Sequence, residues 1–143
     1  MKSSLLSALV LSAVLWPAGA YAQTADAAMA KVAKADDMKW EPLEGGGEIS
    51  ILYTNPTSKA TYLIIRAEKN AHVPRHWHTA NETLTILKGT FLLKHDGSDE
   101  RSEMTPGSFG YMPAKMVHEA WAKDEGATYF ITVDGPFDIN WVK

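Results

Sequence analysis

Short β-type runs separated by turn residues make up most of the chain after Trp40, and this pattern restricts the fold more than any other feature. Strand-forming residues alternate with turn clusters such as Asn55-Pro56-Thr57-Ser58 and Asp124-Glu125-Gly126. No long segment repeats its apolar residues at the helical period. The predicted strands cover residues 48–54, 61–67, 73–78, 82–88, 90–95, 108–112, 117–122, 128–133 and, more weakly, 138–142. The pattern predicts an all-β sandwich or barrel in one domain, residues 38–143.

Four side chains in this β region have the chemistry of transition-metal ligands. They are His76, His78, Glu82 and His118. Successive side chains of a strand point to opposite faces, so His76 and His78 share one face and Trp77 lies on the other. Three imidazoles and a carboxylate on one centre would bind a divalent transition metal. The sequence therefore predicts a metal site at these four residues, and it identifies no separate catalytic or substrate-binding residue.

The first residues have the features of an export signal. Lys2 supplies a positive charge, an apolar run follows it, and Ala20-Tyr21-Ala22 forms a small-x-small cleavage site. We expect residues 1–22 to be a signal peptide cut after Ala22, followed by a flexible mature N-terminus of residues 23–37. This predicts a periplasmic or secreted protein. The apolar run is too short to span a membrane, and no cysteine follows it, so we expect no membrane anchor.

Composition excludes several kinds of chemistry. The chain contains no cysteine, which rules out disulfides, thiolate nucleophiles, cysteine-ligated zinc and iron–sulfur clusters. Its formal net charge is −3 and its basic residues are not clustered, so we expect no nucleic-acid partner. Any metal must be held by histidine, carboxylate, methionine or backbone groups, and the three methionines near His118 are read as packing residues.

The candidate ligands belong to a longer pattern with fixed spacing. It reads Asn70-x5-His76-x-His78-x3-Glu82-x6-Gly89 and, further on, Gly107-x5-Pro113-x4-His118. This resembles the cupin superfamily, whose motifs are Gly-x5-His-x-His-x3,4-Glu-x6-Gly and Gly-x5-Pro-x-Gly-x2-His-x3-Asn. The resemblance covers roughly residues 70–122 and implies a jelly-roll, double-stranded β-helix with the metal on His76, His78, Glu82 and His118. The chain departs from the motifs at three positions, Asn70, Lys115 and Ala122, none of which is a ligand.

The ligand set and the predicted export suggest a reaction class. Three imidazoles and a carboxylate leave coordination positions open for dioxygen, peroxide or a chelating substrate. We expect one metal ion per chain, with copper favoured over manganese, iron and zinc because copper competes best for such ligands outside the cytoplasm. The first hypothesis is an oxidoreductase that activates O₂ or peroxide and acts on a small oxygenated molecule or a carbohydrate. Two alternatives remain open: a metal-assisted isomerase or lyase of sugar acids, and a non-catalytic sugar- or metal-binding protein.

The resemblance also has a consequence for assembly. Cupins commonly pair through terminal strands, and the segment 40–54 could cover the edge of a partner's sheet. We therefore expect a homodimer.

Overall fold

The described part of the chain folds into strands without an intervening α-helix. The computed structural model describes residues 30–143. One short 3-10 turn, Ala35–Asp37, precedes the sheet. The strands are β1 (Glu41–Pro42), β2 (Gly47–Thr54), β3 (Thr61–Ala67), β4 (His72–Trp77), β5 (Glu82–His95), β6 (Ser102–Met104), β7 (Phe109–Met112), β8 (His118–Val133) and β9 (Asn140–Trp141). The sequence pattern missed β1 and β6, which have only two and three residues.

Two strands are longer than predicted, because bends replace the expected breaks. β5 joins the predicted strands 82–88 and 90–95, and β8 joins 117–122 and 128–133, so the predicted turn at 124–126 was wrong. Gly89 and Gly126 both have φ near +74°, a conformation that glycine adopts without steric penalty. A Cβ atom on Gly89 would lie 2.0 Å from the carbonyl oxygen of Gly126. The two glycines thus allow neighbouring strands to bend at the same place and keep their hydrogen bonding on either side.

The long strand β8 organises a curled antiparallel sheet. One edge pairs with β5 along nearly its whole length, from Glu82 opposite Val133 to His95 opposite His118. The other edge pairs with β3 near its end and with β4 near its start. β2 and β1 extend the sheet beyond β3, β9 pairs with β4, and β6 and β7 pair with β5. This arrangement is the all-β jelly roll that the motif resemblance implied.

Strand alternation sends one face of each strand into a common core. Along β3 buried residues alternate with exposed or partly exposed ones, and Leu63 and Ile65 point inwards. The core also contains Ile86 and Val133 from β5 and β8, each at most 1% exposed. Six polar or charged residues among those described are buried, namely Ser50, Thr61, His76, His78, Glu82 and His118. Four of these six are the predicted ligands, which makes the metal site the main polar feature of the interior.

Two departures from the cupin motifs retain the backbone of a glycine. Asn70 has φ of 56° and Lys115 has φ of 66°, both in the left-handed region. Asparagine tolerates this conformation better than most residues, whereas lysine adopts it at an energetic cost. The turn at Lys115 is kept nevertheless, and its amide N–H donates to the carbonyl oxygen of His78 at 2.8 Å. The motif turns survive these substitutions because the surrounding hydrogen bonds hold them.

The expectations for the N-terminus and for assembly stay predictions. The signal peptide and residues 23–29 of the expected mature N-terminus lie outside the described residues. No helix in residues 30–143 is long and apolar enough to cross a membrane. In the segment expected to form the dimer, β1 covers part of the edge of β2, and the side chain of Ile51 is 51% exposed.

Candidate metal centre

Three strand ends bring the predicted ligands together. His76 lies near the end of β4 and His78 just after it, while Glu82 and His118 open β5 and β8. His76 is directly opposite His118 in the register of β4 and β8. All four side chains are at most 5% exposed. As predicted, His76 and His78 point into the interior and Trp77 between them is only partly buried.

The three imidazoles surround one point. One ring nitrogen from each of His76, His78 and His118 lies within 4.8 Å of the other two. The Oε2 atom of Glu82 lies 3.3 Å from Nε2 of His78 and 3.4 Å from Nε2 of His118. Glu82 thus reaches two of the three histidines. The structure brings all four predicted residues together, and their role as ligands remains the prediction to be tested.

Backbone carbonyls fix the orientation of each ring. Nδ1 of His76 donates to the carbonyl oxygen of Pro74 at 2.6 Å, and Nδ1 of His118 donates to that of Met116 at 3.0 Å. Nδ1 of His78 donates to the carbonyl oxygen of Asp138. Because a carbonyl oxygen only accepts, each Nδ1 carries the proton and each Nε2 presents a lone pair. This is the arrangement by which proteins orient metal-binding histidines.

Two polar atoms at the centre of the cluster fit a bound cation. Nε2 of His78 and Oε2 of Glu82 are buried and lack a hydrogen-bond partner. Leaving such atoms unpaired in the interior is costly, by about 1–3 kcal/mol for each group. A metal ion between them would satisfy both atoms at once. The donor set, three neutral nitrogens and one carboxylate oxygen, suits a divalent transition metal.

The pKa values of His76 and Glu82 are shifted towards the protonation states that metal binding requires. Burial, together with electrostatic repulsion from the neighbouring His118 ring, lowers the pKa of His76 to about 4, so its ring is neutral at physiological pH. Burial alone would raise the pKa of Glu82, but its contacts with His118 and His78 outweigh this and lower the pKa to about 2. Burial opposes protonation of His78, yet the contacts with Glu82 raise its pKa. A metal held by His78 competes with protonation of that ring, so metal binding should weaken as the pH is lowered.

The ligands face a small and almost entirely apolar cavity. Its volume is about 30 Å³, room for roughly one or two water molecules. Apart from the four candidate ligands, it is lined by Leu43, Ile65, Val73, Leu84, Phe91, Leu93, Ala120, Tyr129, Ile131, Phe137 and Ile139. Tyr129 is the one polar side chain among these described lining residues. Burial raises the pKa of Tyr129, with a further contribution from the charge on Glu82, so the hydroxyl stays protonated.

Comparison with known proteins places this geometry in a family. The family model of the ChrR cupin-like domain matches residues 28–138. The chain belongs to this family. The resemblance to cupins is therefore confirmed, and the match spans the whole of the described site.

One curated protein is similar in sequence to this ChrR-like cupin. The DNA damage-repair/toleration protein DRT102 of Arabidopsis thaliana is 32% identical over 94 residues. That match covers 66% of this chain, and the chain spans only 29% of the length of this curated relative.

Solved cupin structures share the fold at low sequence identity. An RmlC-like cupin from Shewanella frigidimarina has a TM-score of 0.66 and 20% identity, with 74% of this chain and 91% of that chain covered. KdgF from Halomonas sp. has a TM-score of 0.62 and 17% identity, covering 74% and 94%. An oxalate decarboxylase variant from Bacillus subtilis has a TM-score of 0.62 and 20% identity, covering 72% and 29%. At these identities the likeness shows the fold.

In this ChrR-like cupin the C-terminal segment 137–139 forms part of the site, which the sequence analysis did not predict. The side chains of Phe137 and Ile139 line the cavity, and the ring of Phe137 stacks on His78 with 5.6 Å between centroids. The carboxylate of Asp138 accepts from the amide and the hydroxyl of Thr79 at 2.9 and 2.5 Å. Asp138 thus contacts two consecutive residues: its backbone carbonyl accepts from His78, and its carboxylate accepts from Thr79. No local motif marks this segment, which was expected only as a weak strand.

Several other histidine, methionine and aromatic residues lie away from the centre. His72 is exposed and pairs with Glu119 at 2.7 Å. Met104 and Met112 are buried in the apolar core, as the packing interpretation predicted. Phe109 and Tyr111 share a face, but this face is exposed and neither ring lines the metal cavity.

Proposed function

We propose that this cupin holds one transition-metal ion on His76, His78, Glu82 and His118 and acts as an oxidoreductase that uses O₂ or peroxide. The observation that carries the proposal is the convergence of three oriented Nε2 atoms and a carboxylate beside an apolar cavity. A redox-active metal held there would supply Lewis acidity and electron exchange.

The chain's own residues define what can reach such a site. The cavity has almost entirely apolar walls and a volume of about 30 Å³. Such a space favours small guests, such as dioxygen and hydrogen peroxide, which have two heavy atoms each. No lysine, arginine or amide side chain lines the cavity among the described residues. A sugar or sugar acid would lack partners for its hydroxyl and carboxylate groups, so the apolar lining favours the small-molecule substrate over the carbohydrate.

Copper remains the favoured metal within this proposal. The cluster has borderline nitrogen ligands and one hard oxygen, a set that binds Cu(II) more tightly than the other divalent first-row ions. The predicted export would load the protein outside the cytoplasm, where copper competes well. Manganese, iron and zinc are the alternatives that elemental analysis distinguishes.

The test begins with protein produced from the full chain in its native host and analysed for metal. We expect close to one metal ion per chain, consumption of hydrogen peroxide, and uptake of dioxygen when ascorbate supplies electrons. Chelation should abolish both reactions, and His78→Ala should abolish metal retention because the ring provides one of three nitrogens. His72→Ala is the matched control, since His72 is exposed and outside the cluster.

The alternatives give different results in the same experiments. Turnover that survives both chelation and His78→Ala would contradict the proposal. Metal retention without any reaction towards dioxygen or peroxide would favour a binding protein. Full activity of zinc-loaded protein on a sugar acid without oxygen would favour the isomerase or lyase.

A further inference from the structure

The metal cavity contains one polar side chain that the proposed function does not use. Tyr129 lines the cavity together with His76, His78, Glu82 and His118. Every other described residue around the cavity is apolar. Tyrosine therefore brings a hydroxyl to a cavity whose remaining lining is apolar, and buried tyrosine hydroxyls usually take part in a hydrogen bond.

The fold holds this tyrosine firmly in place. Tyr129 lies in the second half of β8, where it is opposite Ile65 of β3 and Ile86 of β5. It is 3% exposed, and its ring packs on Phe91 with 4.5 Å between centroids. Pairing on both edges fixes the backbone, and the aromatic contact restricts the side chain. The ring of Tyr129 is therefore held in a fixed position at the cavity.

We propose that the Tyr129 hydroxyl donates the hydrogen bond that holds and orients the small molecule entering this cavity. The inference rests on the proposed function, since it requires a metal centre with an open position. The preferred guest is small and carries a hydrogen-bond acceptor, because the cavity volume is about 30 Å³ and its other walls are apolar. Azide, a linear three-atom anion, is a suitable probe of this class.

The role of Tyr129 follows from its surroundings. Glu82 carries a negative charge at the same cavity and can only accept hydrogen bonds. The three histidines use their Nδ1 protons on backbone carbonyls. Among the cavity-lining side chains described, the phenol is therefore the remaining hydrogen-bond donor for a guest. In apolar surroundings a hydrogen bond to an anion is stronger than in water.

The experiment compares azide binding to Cu(II)-loaded wild type and Tyr129→Phe, which retains the ring and removes only the hydroxyl. Metal content and thermal midpoint are measured first, and we expect both to be the same in the two proteins. Azide titration, followed by its charge-transfer absorption, should then show affinity weakened about tenfold or more in Tyr129→Phe. Tyr111→Phe is the matched control, because Tyr111 is 54% exposed and lies outside the cavity; its azide affinity should equal that of the wild type.

Each contrary outcome has a distinct meaning. Equal azide affinity in wild type and Tyr129→Phe, with both fully loaded, overturns the inference and leaves the proposed function intact. Loaded wild type that binds no azide also overturns it, because no open position then exists for the hydroxyl to serve. Wild type that retains no metal overturns the proposed function itself.

Discussion

Replacing Lys115 with glycine should stabilise the protein although it removes a side chain and adds no contact. Lys115 occupies the position at which the cupin motif has glycine, and its φ of 66° lies in the left-handed region. Its side chain is exposed. The amide of the same residue donates to the carbonyl oxygen of His78, and glycine would keep that bond. The substitution therefore relieves backbone strain beside the metal centre and leaves the contacts unchanged.

The magnitude follows from two opposing terms. A side chain in the left-handed region costs about 1–2 kcal/mol relative to glycine. Glycine loses more backbone entropy on folding, which costs roughly 0.5–1 kcal/mol. The difference lies between about 0 and 1.5 kcal/mol and predicts that Lys115→Gly raises the free energy of unfolding by about 0.75 kcal/mol, or the thermal midpoint by a few degrees. Asn70→Gly should gain less, because asparagine tolerates its φ of 56° better than lysine does.

Denaturant unfolding of metal-free protein measures this effect without contributions from metal binding. Lys115→Ala is the control, since alanine removes the charge and retains the strain, and its stability should match that of the wild type. Metal affinity should be the same in all three proteins because the bond to His78 remains. If Lys115→Gly is no more stable than Lys115→Ala, backbone strain at this turn is not the reason and the argument fails.

Three further predictions concern the metal centre. Free metal at about a hundred times its dissociation constant should stabilise the wild type by about 2.7 kcal/mol, and calorimetry should show no such gain for His78→Ala. Asp138→Ala should weaken metal affinity about 10- to 100-fold, because it frees the segment whose carbonyl orients His78. Asp138→Asn should keep most of the wild-type affinity, because the asparagine oxygen can accept from the amide of Thr79. The lowered pKa of His76, about 4, predicts that metal-free protein loses roughly 3 kcal/mol between pH 6.5 and 4. As the pH is lowered, the unfolded chain takes up this proton before the folded protein does, so the free energy of unfolding decreases. His76→Gln should make the free energy of unfolding, measured by urea titration, depend less on pH.

These predictions have clear contrary results. Equal metal-induced gains in wild type and His78→Ala would place the metal elsewhere. Equal affinities for Asp138→Ala and the wild type would mean that the ring of His78 is oriented without the C-terminal segment. An identical pH dependence in His76→Gln and the wild type would show that a different group titrates in this range. Glu82, whose pKa is lowered from 4.5 to about 2 in the folded protein, contributes a loss chiefly below pH 4.5, where the unfolded carboxylate takes up its proton, so Glu82 does not cause most of the fall between pH 6.5 and 4.5.

Local patterns in the sequence were enough to predict most of the strands and the four candidate ligands. Alternation over a few residues predicts that His76 and His78 share a face, and both are buried while Trp77 is less so. The sequence analysis missed the bends in β5 and β8 because it, too, relied on neighbouring residues. Gly126 follows Asp124 and Glu125, a combination typical of turns, and only the close approach of Gly89 shows that the strand continues.

What the chain determined by itself is the inward placement of the ligands, because period-two alternation and motif spacing are properties of neighbouring residues. The tertiary structure decided which ring nitrogens are free, how small the cavity is, and that Tyr129 lines it. These depend on contacts between distant residues, such as His78 with Asp138, which are 60 positions apart. A shift of one residue in strand register would turn Tyr129 away from the cavity, and no local pattern specifies that register across the sheet.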